Sequence, residues 1–387
     1  MINLLHGDCL EQMKTLEDNS VDSIVSDPPY GISFMAKKWD YDVPSVEVWK
    51  EAMRVLKPGG HALIACGTRT QHRMVVNIED AGFEIRDVVS WIYGSGFPKS
   101  LNISKAIDKA AGQVNIIGKG RAGKTAMGQG SDWNKTNNPH EFDITAPATG
   151  AAKQWDGWGT ALKPSCEFFT LCRKPPSEKT IAANVLKWGT GGINIDACRV
   201  APTNDVSGWS KTGSKEGENT SMSGKNYARE AKPDNTQGRF PANLIHDGSQ
   251  EVLELFPETK ARGNKSECMS DQKAGLYEYG SKSGECGSSA NKDPVGFVGS
   301  AARFFYCPKA SKKDRDEGNT HPTVKPTALM QYLCRLITPT GGVVLDPYMG
   351  SGSTGKAAVQ EGFSFVGCEL DPDYYEIAKA RATNEES

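Results

Sequence analysis

The stretch that decides the fold runs from residue 343 to residue 356: Val343-Val-Leu-Asp346-Pro-Tyr-Met-Gly350-Ser-Gly352-Ser-Thr-Gly355-Lys356. Its first three residues predict a short buried strand, and its glycines predict a tight turn. A helix is predicted to follow over residues 353–361. A strand that passes directly through a glycine-rich turn into a helix is typical of an open α/β sheet.

The glycine turn fits three kinds of ligand. It matches the dinucleotide fingerprint GxGxxG, and it matches most of a P-loop, but Ala357 stands where a P-loop has the Ser or Thr that binds magnesium. The third fit is S-adenosylmethionine, whose amino-acid portion the turn can approach closely. The carboxylate of Asp346 at the strand end repels phosphates and attracts an ammonium or a sulfonium, which favours the third fit. Glu369, near the end of the next predicted strand, can accept both hydroxyls of a ribose, in NAD or in S-adenosylmethionine.

A second motif, Asp27-Pro28-Pro29-Tyr30, follows the predicted strand 21–26. Two prolines in succession force the chain to turn and expose the residues around them. An exocyclic base amine is a poor nucleophile because its lone pair is delocalised into the ring. The Asp27 carboxylate and the Pro28 carbonyl can accept its two hydrogens, and Tyr30 offers a flat face for a base removed from a duplex. The motif therefore predicts methylation of a base amine.

Alternating strands and helices are predicted at both ends of the chain. The helices are expected at 45–56, 70–81, 327–337, 353–361 and 372–382, and the strands at 21–26, 61–66, 85–93, 343–345 and 363–367. Lys57-Pro-Gly-Gly60 predicts the end of the first helix. The regions 118–160, 203–238 and 263–300 are predicted to be loops, interrupted by strand-like pieces at 165–172, 193–200, 242–245 and 302–307.

Charge divides the chain in the same way. The net charge is −2 overall, but it is −5 over residues 1–96, +7 over 97–240 and −4 over the remainder. A basic middle between acidic ends is what a local phosphate-contacting surface requires, although a lysine-rich solvated loop region would show the same charge. The basic candidates for phosphate contact are Lys99, Lys105, Lys119, Arg121, Lys124, Arg173 and Lys174.

Several classes of protein are disfavoured by composition and by missing motifs. No apolar run is long enough for a membrane span, and the first eleven residues lack the pattern of a signal peptide, so we expect a cytoplasmic protein without a membrane partner. The ten cysteines include no CxxC pair, so we expect no structural metal. Methylation at cytosine C5 needs a nucleophilic cysteine, commonly after a proline, and the chain has no Pro-Cys pair.

Taken together, these residues resemble the β-class amino-methyltransferases of DNA. The resemblance covers residues 1–100 and 302–387 and rests on the order of the motifs, with Asp27-Pro-Pro-Tyr30 before the glycine turn. It implies an α/β fold, Rossmann-like, with circularly permuted motif order and an inserted target-recognition module. The domains are expected at 1–175 (catalytic half, with a loop insertion near 115–160), 176–301 (recognition of DNA) and 302–387 (cofactor-binding half).

The resemblance also implies the site residues. The catalytic residues are Asp27, Pro28, Pro29 and Tyr30, and the residues that bind S-adenosylmethionine are Asp8, Thr323, Lys325, Asp346, Pro347, Tyr348, Gly350, Gly352 and Glu369. Trp91 and Tyr93 either line a base pocket or pack in the core. The predicted activity is methylation of adenine N6 in double-stranded DNA by base flipping, within a restriction–modification system or outside one.

Several alternatives remain open. The same catalytic corner would serve a cytosine-N4 or an RNA methyltransferase, and a nucleic-acid-binding protein with a vestigial site or a P-loop ATPase are rivals from other classes. A homodimer and a cognate restriction enzyme are the candidate protein partners.

Overall fold

The computed structural model describes residues 1–32, 40–96, 100–121, 141–201, 238–260, 298–308, 314 and 319–383. The strands within these ranges are β1 (Ile2–His6), β2 (Val21–Ser26), β3 (Leu56–Gly67), β4 (Glu84–Ile92), β5 (Asn115–Arg121), β6 (Glu141–Ala146), β7 (Cys166–Arg173), β8 (Leu244–His246), β9 (Glu258–Lys260), β10 (Val298–Ser300), β11 (Val343–Asp346) and β12 (Ser364–Glu369). The helices are α1 (Cys9–Met13), α2 (Val46–Val55), α3 (Gln71–Asp80), α4 (Ile103–Ala110), α5 (Gly150–Gln154), α6 (Ile181–Trp188), α7 (Gln250–Leu253), α8 (Thr327–Ile337), α9 (Ser353–Gln360) and α10 (Pro372–Thr383).

Eight strands form one sheet in the order β1-β12-β11-β2-β3-β7-β4-β8. Neighbouring strands are parallel except at β7, which runs antiparallel to both β3 and β4. The loops that follow the parallel strands therefore meet at one edge of the sheet, and β7 begins at that same edge. Ligands of open α/β sheets bind at this edge.

Helices cover both faces of the sheet. Ile24 and Ile64 pack with residues of α1, α2 and α3, whereas their neighbours Val25 and Leu63 pack with residues of α8, α9 and α10. All six residues of β2 are buried, as expected for a parallel strand that is covered on both faces. The predicted α/β class is confirmed.

The sequence predicts most elements of the two ends to within a residue or two. This holds for α2, α3, α8, α9 and α10, and for β2, β4, β11 and β12; in the middle of the chain it also holds for β7. The prediction for 242–245 is confirmed with a small shift, as β8.

The predicted end of the first helix before Lys57 is confirmed, because α2 ends at Val55, and β3 begins directly at Leu56. The backbone of Gly59 donates to the carbonyl of Lys174, and the Lys174 amide donates to the carbonyl of Gly60. This pairing just beyond the end of β7 anchors the Pro-Gly-Gly stretch, in which Gly59 has φ 79°, a left-handed conformation that favours glycine. The register between β2 and β3 is irregular there, between Val21 and Ser23.

Two strand predictions are wrong. Residues 193–200 contain a 3-10 helix at Asp196–Cys198, and residues 302–307 overlap another at Ala301–Phe304. Only isolated bridges remain of the predicted strands, between Val200 and Arg239 and between Tyr306 and Ile245. Short apolar runs do not distinguish these conformations by their periodicity.

The loop predicted over 118–160 contains regular structure that the sequence reading missed. Strands β5 and β6 form an antiparallel hairpin, and α5 packs against α4. Ile116, Ile117 and Phe142 of this hairpin are exposed. The helix α6 was also missed, although Thr180 caps its amino end and Gly189, at φ 75°, ends it.

Within the described residues, no helix is both long and apolar enough to cross a membrane. The cysteines of these residues are free thiols, and no group of His, Cys, Asp and Glu side chains among them is arranged to hold a metal ion.

Candidate active site

A cavity of about 1290 Å³ opens at the carboxyl edge of the sheet. It brings together most of the site residues that the sequence predicts, from four separate strand ends and one loop. The predicted residues in its wall are Asp8, Asp27, Pro28, Pro29, Tyr30, Thr323, Lys325, Asp346, Pro347, Tyr348, Gly350 and Glu369. Gly352 does not line the cavity.

The Asp27–Tyr30 corner leaves β2 at its carboxyl end and is held by a buried carboxylate. The Asp40 side chain is 2% exposed and accepts hydrogen bonds from the backbone amides of Tyr30 (2.7 Å), Gly31 (3.0 Å) and Ile32 (3.3 Å). These bonds fix the direction in which the chain leaves the two prolines. The sequence analysis did not identify Asp40, because it belongs to neither motif.

The side chain of Tyr30 is held at its hydroxyl and at one face of its ring. The hydroxyl donates to Asp27 Oδ1 at 2.7 Å, and a Cβ atom placed on Gly67 would lie 3.2 Å from the ring. Burial, together with the charges of Asp27 and Glu167, raises the pKa of Tyr30 well above its ordinary value. The hydroxyl therefore stays protonated and remains a donor.

Lys325 lies at this catalytic corner, although the sequence analysis expected it to contact the cofactor. Its ammonium donates to both oxygens of Asp27 at 2.8 Å and to the Tyr30 hydroxyl at 3.0 Å, and it forms an ion pair with Glu167 at 3.0 Å. Burial would lower the pKa of Lys325, but the charges and hydrogen bonds of Asp27 and Glu167 outweigh burial and raise it. The side chain is therefore a permanent cation in the wall.

Glu167 is a second site residue that the sequence analysis missed. It is the second residue of β7 and lies opposite Gly67 and Trp91 of the neighbouring strands. Its carboxylate is also within 3.3 Å of the Tyr93 hydroxyl, and the rings of Trp91 and Tyr93 are 4.9 Å apart. All four residues line the cavity.

The glycine turn connects β11 to α9 and carries a buried carboxylate at its start. Asp346 is 1% exposed, and its Oδ1 accepts from the Ser26 hydroxyl at 2.6 Å and from the Tyr348 amide at 3.1 Å. Burial raises the pKa of Asp346 to about 6, although hydrogen bonds from Ser26 and Thr354 act in the opposite direction.

Gly350 and Gly352, the two glycines with positive φ in this turn, have different structural roles. Gly350 has φ 51°, and a Cβ atom there would lie 3.2 Å from the His321 ring across the cavity. Gly352 has φ 78°, and a Cβ atom there would lie 2.9 Å from Ala378 Cα of α10. Gly350 thus keeps the cavity open, whereas Gly352 allows two helices to pack closely.

Glu369 and Asp8 lie side by side at the ends of β12 and β1, which pair in parallel through His6 and Glu369. Burial raises the pKa of Glu369 to about 7. Asp8 caps α1, because its side chain accepts from the amides of Leu10 and Glu11. Carboxylates thus surround this end of the cavity.

A DNA methylase family profile, that of the N6/N4 methyltransferases, matches residues 21–380. This match covers nearly the whole chain and includes both predicted motifs. The chain belongs to this DNA methylase family. The family depends on S-adenosylmethionine as its methyl donor.

Curated relatives of this DNA methylase match it over short segments. Type II methyltransferase M.ScaI of Streptomyces caespitosus is 36% identical over 79 residues, 20% of this chain and 26% of that protein. DNA adenine methyltransferase YhdJ of Escherichia coli (strain K12) is 38% identical over 66 residues, 17% of this chain and 22% of that protein. The matched segments thus span about a quarter of the length of these relatives.

Solved structures match this DNA methylase over most of its length at low identity. The M1.HpyAVI–SAM complex is 16% identical, with 98% of both chains covered and a TM-score of 0.42. The PvuII DNA methyltransferase, described as cytosine-N4-specific, is 12% identical, with 98% of this chain and 86% of that chain covered and a TM-score of 0.44.

The wall of the DNA methylase cavity fits a cationic cofactor better than a phosphorylated one. Its carboxylates are those of Asp8, Asp27, Asp40, Glu167, Asp346, Glu369 and Asp371. The described part of the wall also contains two cationic side chains, Lys325 and Arg69. Lys325 is already paired with carboxylates. This set of carboxylates therefore suits an ammonium and a sulfonium and disfavours a dinucleotide or a nucleoside triphosphate.

Two of the basic residues that the sequence analysis named as candidates for phosphate contact form hydrogen bonds within the DNA methylase itself. Arg173 donates from Nε and Nη2 to Oε2 of Glu84, at 3.0 and 2.6 Å. The Lys174 ammonium donates to Asn19 and to the carbonyl of Leu56. Neither side chain is exposed. Lys105 and Lys119 are exposed, whereas Lys99 and Lys124 lie outside the described residues.

Proposed function

We propose that this DNA methylase transfers a methyl group from S-adenosylmethionine to the exocyclic N6 of adenine in duplex DNA, after the target base has been flipped out of the helix. The observation that carries this proposal is the position of the Asp27 carboxylate in the same cavity as Asp346 and Glu369. A base amine inside a duplex cannot reach such a cavity, so flipping is required.

Asp27 and Pro28 would hold the target amine. A carboxylate offers about four acceptor positions, and Tyr30 and Lys325 occupy three of those of Asp27. One acceptor position of Asp27 remains for one hydrogen of the target amine, and the Pro28 carbonyl can accept the second hydrogen. Holding both hydrogens draws the nitrogen out of conjugation, so that its lone pair can attack a carbon.

Tyr30 would support the flipped base. Its hydroxyl is fixed by Asp27 and one ring face is covered at Gly67, so the ring cannot rotate freely. A base stacked on the cavity side of such a fixed ring has its amine close to the carboxylate of the same corner.

At the other end of the cavity, Asp346, Glu369 and Asp8 would hold the cofactor, with Thr323, Pro347, Tyr348 and Gly350 around it. When bound, S-adenosylmethionine supplies an electrophilic methyl group on a positively charged sulfur. The carboxylate of Asp346 suits the cofactor's ammonium, and Glu369 can accept from two ribose hydroxyls.

Two observations support adenine over cytosine as the target base. The corner reads Asp-Pro-Pro-Tyr, which in the family that the sequence resembles points to adenine N6. The name of one relative, DNA adenine methyltransferase YhdJ, agrees with this choice.

The proposal includes the division of the chain into a catalytic half (1–175), a target-recognition module (176–301) and a cofactor-binding half (302–387). It places the enzyme in the cytoplasm on double-stranded DNA, within a restriction–modification system or outside one, with a second copy of the chain and a cognate restriction enzyme as the candidate protein partners.

The test is to incubate the purified protein with S-adenosylmethionine and unmethylated plasmid DNA, and to analyse the nucleosides by mass spectrometry. An RNA sample runs in parallel. Asp27→Asn is the matched isosteric variant, and Glu17→Gln, an exposed carboxylate at the opposite edge of the sheet, is the control. We expect N6-methyladenine from the wild-type protein and the control, and a rate roughly a thousandfold lower from Asp27→Asn.

Other products would change the proposal in defined ways. N4-methylcytosine would keep the site chemistry and correct the base, and a product on RNA alone would correct the nucleic acid. Absence of any methylated nucleoside would overturn the proposed function.

A further inference from the structure

Three charged side chains meet at the catalytic corner, and one of them has no role in the function proposed above. The Lys325 ammonium lies 2.8 Å from both oxygens of Asp27 and 3.0 Å from Oε2 of Glu167. The Lys325 side chain is 9% exposed, and those of Asp27 and Glu167 are 23% and 20% exposed. A cation that is almost fully buried thus lies between two partly exposed carboxylates in the cavity wall.

The hydroxyls and thiols that adjoin this cluster carry no charge. Burial raises the pKa values of the Tyr30 and Tyr93 hydroxyls, and burial raises the pKa of the Cys66 thiol to about 11. Burial likewise raises the pKa of the Cys166 thiol. The summed charge of Asp27, Glu167 and Lys325, called the charge of the corner below, is therefore −1; the Asp40 carboxylate, which accepts from the Tyr30 amide, is not part of this sum.

The direction of one strand explains why a second carboxylate is present. Asp27 follows a parallel strand, whereas Glu167 is the second residue of β7, the strand that runs against both its neighbours. Glu167 therefore lies at the edge of the sheet where the other strands end, within 3.2 Å of the hydroxyl of Tyr30. Its position is fixed by the sheet and not by a flexible loop.

Without Glu167, the Lys325 ammonium would pair with Asp27 only, and the corner would be neutral. A neutral pair is a weaker acceptor for the target amine than a carboxylate that shares its cation. The difference grows during the reaction, because the amine nitrogen gains positive charge when it is methylated and then loses a proton. In a partly buried site, one unit of charge at this distance has a larger effect than it would have in bulk water.

We propose that Glu167 is a positioning residue for methyl transfer: it shares the Lys325 ammonium with Asp27, so that the corner keeps one net negative charge facing the target amine. This proposal rests on the proposed function, since it assigns Glu167 a part in the same reaction.

A double-mutant cycle tests this inference. Glu167→Gln changes the charge of the corner to 0, and Lys325→Met changes it to −2, which leaves two carboxylates facing each other. Both single variants should therefore lower the single-turnover rate of methyl transfer at saturating DNA and cofactor by at least about tenfold. The double variant restores the charge to −1 on Asp27, and we expect it to be at least about threefold faster than either single variant.

Two further measurements separate positioning from loss of structure. The affinity for S-adenosylmethionine, measured by calorimetry, and the thermal midpoint should change little in Glu167→Gln, because the cofactor end of the cavity is built from other residues. Flipping of a target-site 2-aminopurine, followed by fluorescence without cofactor, should also persist. Glu17→Gln is the matched control and should keep the wild-type rate.

The outcomes distinguish this inference from the proposed function. If the wild-type protein makes no methylated base, both are overturned. If the wild-type protein is active and Glu167→Gln matches its rate, or if the two single effects multiply in the double variant, only the role of Glu167 is overturned. A double variant that is faster than both single variants supports it.

Discussion

At the scale of single residues, the cofactor end of the cavity holds two carboxylates that bind protons unusually tightly. Burial raises the pKa of Asp346 to about 6 and that of Glu369 to about 7. Both must be ionised to hold an ammonium and to accept from ribose hydroxyls, so cofactor binding should release protons at acidic pH. We expect the affinity for S-adenosylmethionine to be roughly fifteenfold lower at pH 6 than at pH 7.5. Calorimetric titrations across pH 5.5–7.5 measure this, and an affinity that is constant over that range would contradict it.

The variant Asp346→Asn separates binding from stability. An acid whose pKa is raised in the folded protein binds its proton more tightly than in the unfolded chain, so stability falls as the pH rises from about 4 to about 6. An amide at this position carries no buried charge. We expect Asp346→Asn to raise the thermal midpoint of the cofactor-free protein at pH 7.5 while it weakens cofactor binding by at least about tenfold. A lower midpoint with unchanged affinity would contradict the assigned role of Asp346.

The residues of the site differ in how far the sequence could reveal them. Asp27 and Asp346 are found from the sequence because each belongs to a contiguous motif directly after a strand. Glu167 and Asp40 belong to no motif, and their contacts with the corner exist only once distant segments have folded together. Lys325 was found from its motif, but its pairing with Asp27, 298 residues away in sequence, could not be.

At the scale of elements, the sequence predicts where strands lie better than how they run. Residues 165–172 are correctly predicted as a strand, but nothing in their composition shows that β7 is antiparallel to its neighbours. That direction places Glu167 at the site. The hairpin β5–β6 was missed because contacts between its two strands override weak local preferences.

The packing of α10 on α9 depends on one glycine, and a second glycine offers a matched control. Gly352 (φ 78°) and Gly341 (φ 70°) have similar backbone strain, but a Cβ atom at Gly341 meets nothing within 4 Å, whereas one at Gly352 lies 2.9 Å from Ala378 Cα. Gly341→Ala should lower the free energy of unfolding by about 1 kcal/mol, the cost of the backbone conformation. Gly352→Ala should lower it by a further ~1–3 kcal/mol, because α10 must move. Urea denaturation measures the difference, and equal losses in the two variants would exclude the packing contribution.

At the scale of the whole molecule, the basic middle of the chain is only partly available for DNA. Arg173 and Lys174 are occupied by contacts within the protein, whereas Lys105 of α4 and Lys119 of β5 are exposed. If the latter two contact phosphates, the double variant Lys105→Gln/Lys119→Gln should weaken duplex DNA binding and reduce the slope of log affinity against log salt by about 2. Fluorescence anisotropy over a range of salt concentrations measures both quantities.

Lys174→Gln is the matched control for this experiment, because it removes the same charge from a side chain that donates to backbone and side-chain carbonyls. It should lower the free energy of unfolding by about 1–3 kcal/mol and leave the salt slope unchanged. The opposite pattern, with a lower slope in Lys174→Gln and an unchanged slope in the double variant, would place the DNA on a different face of the protein. Either result shows which part of the net charge of +7 over residues 97–240 acts on DNA and which part holds the fold together.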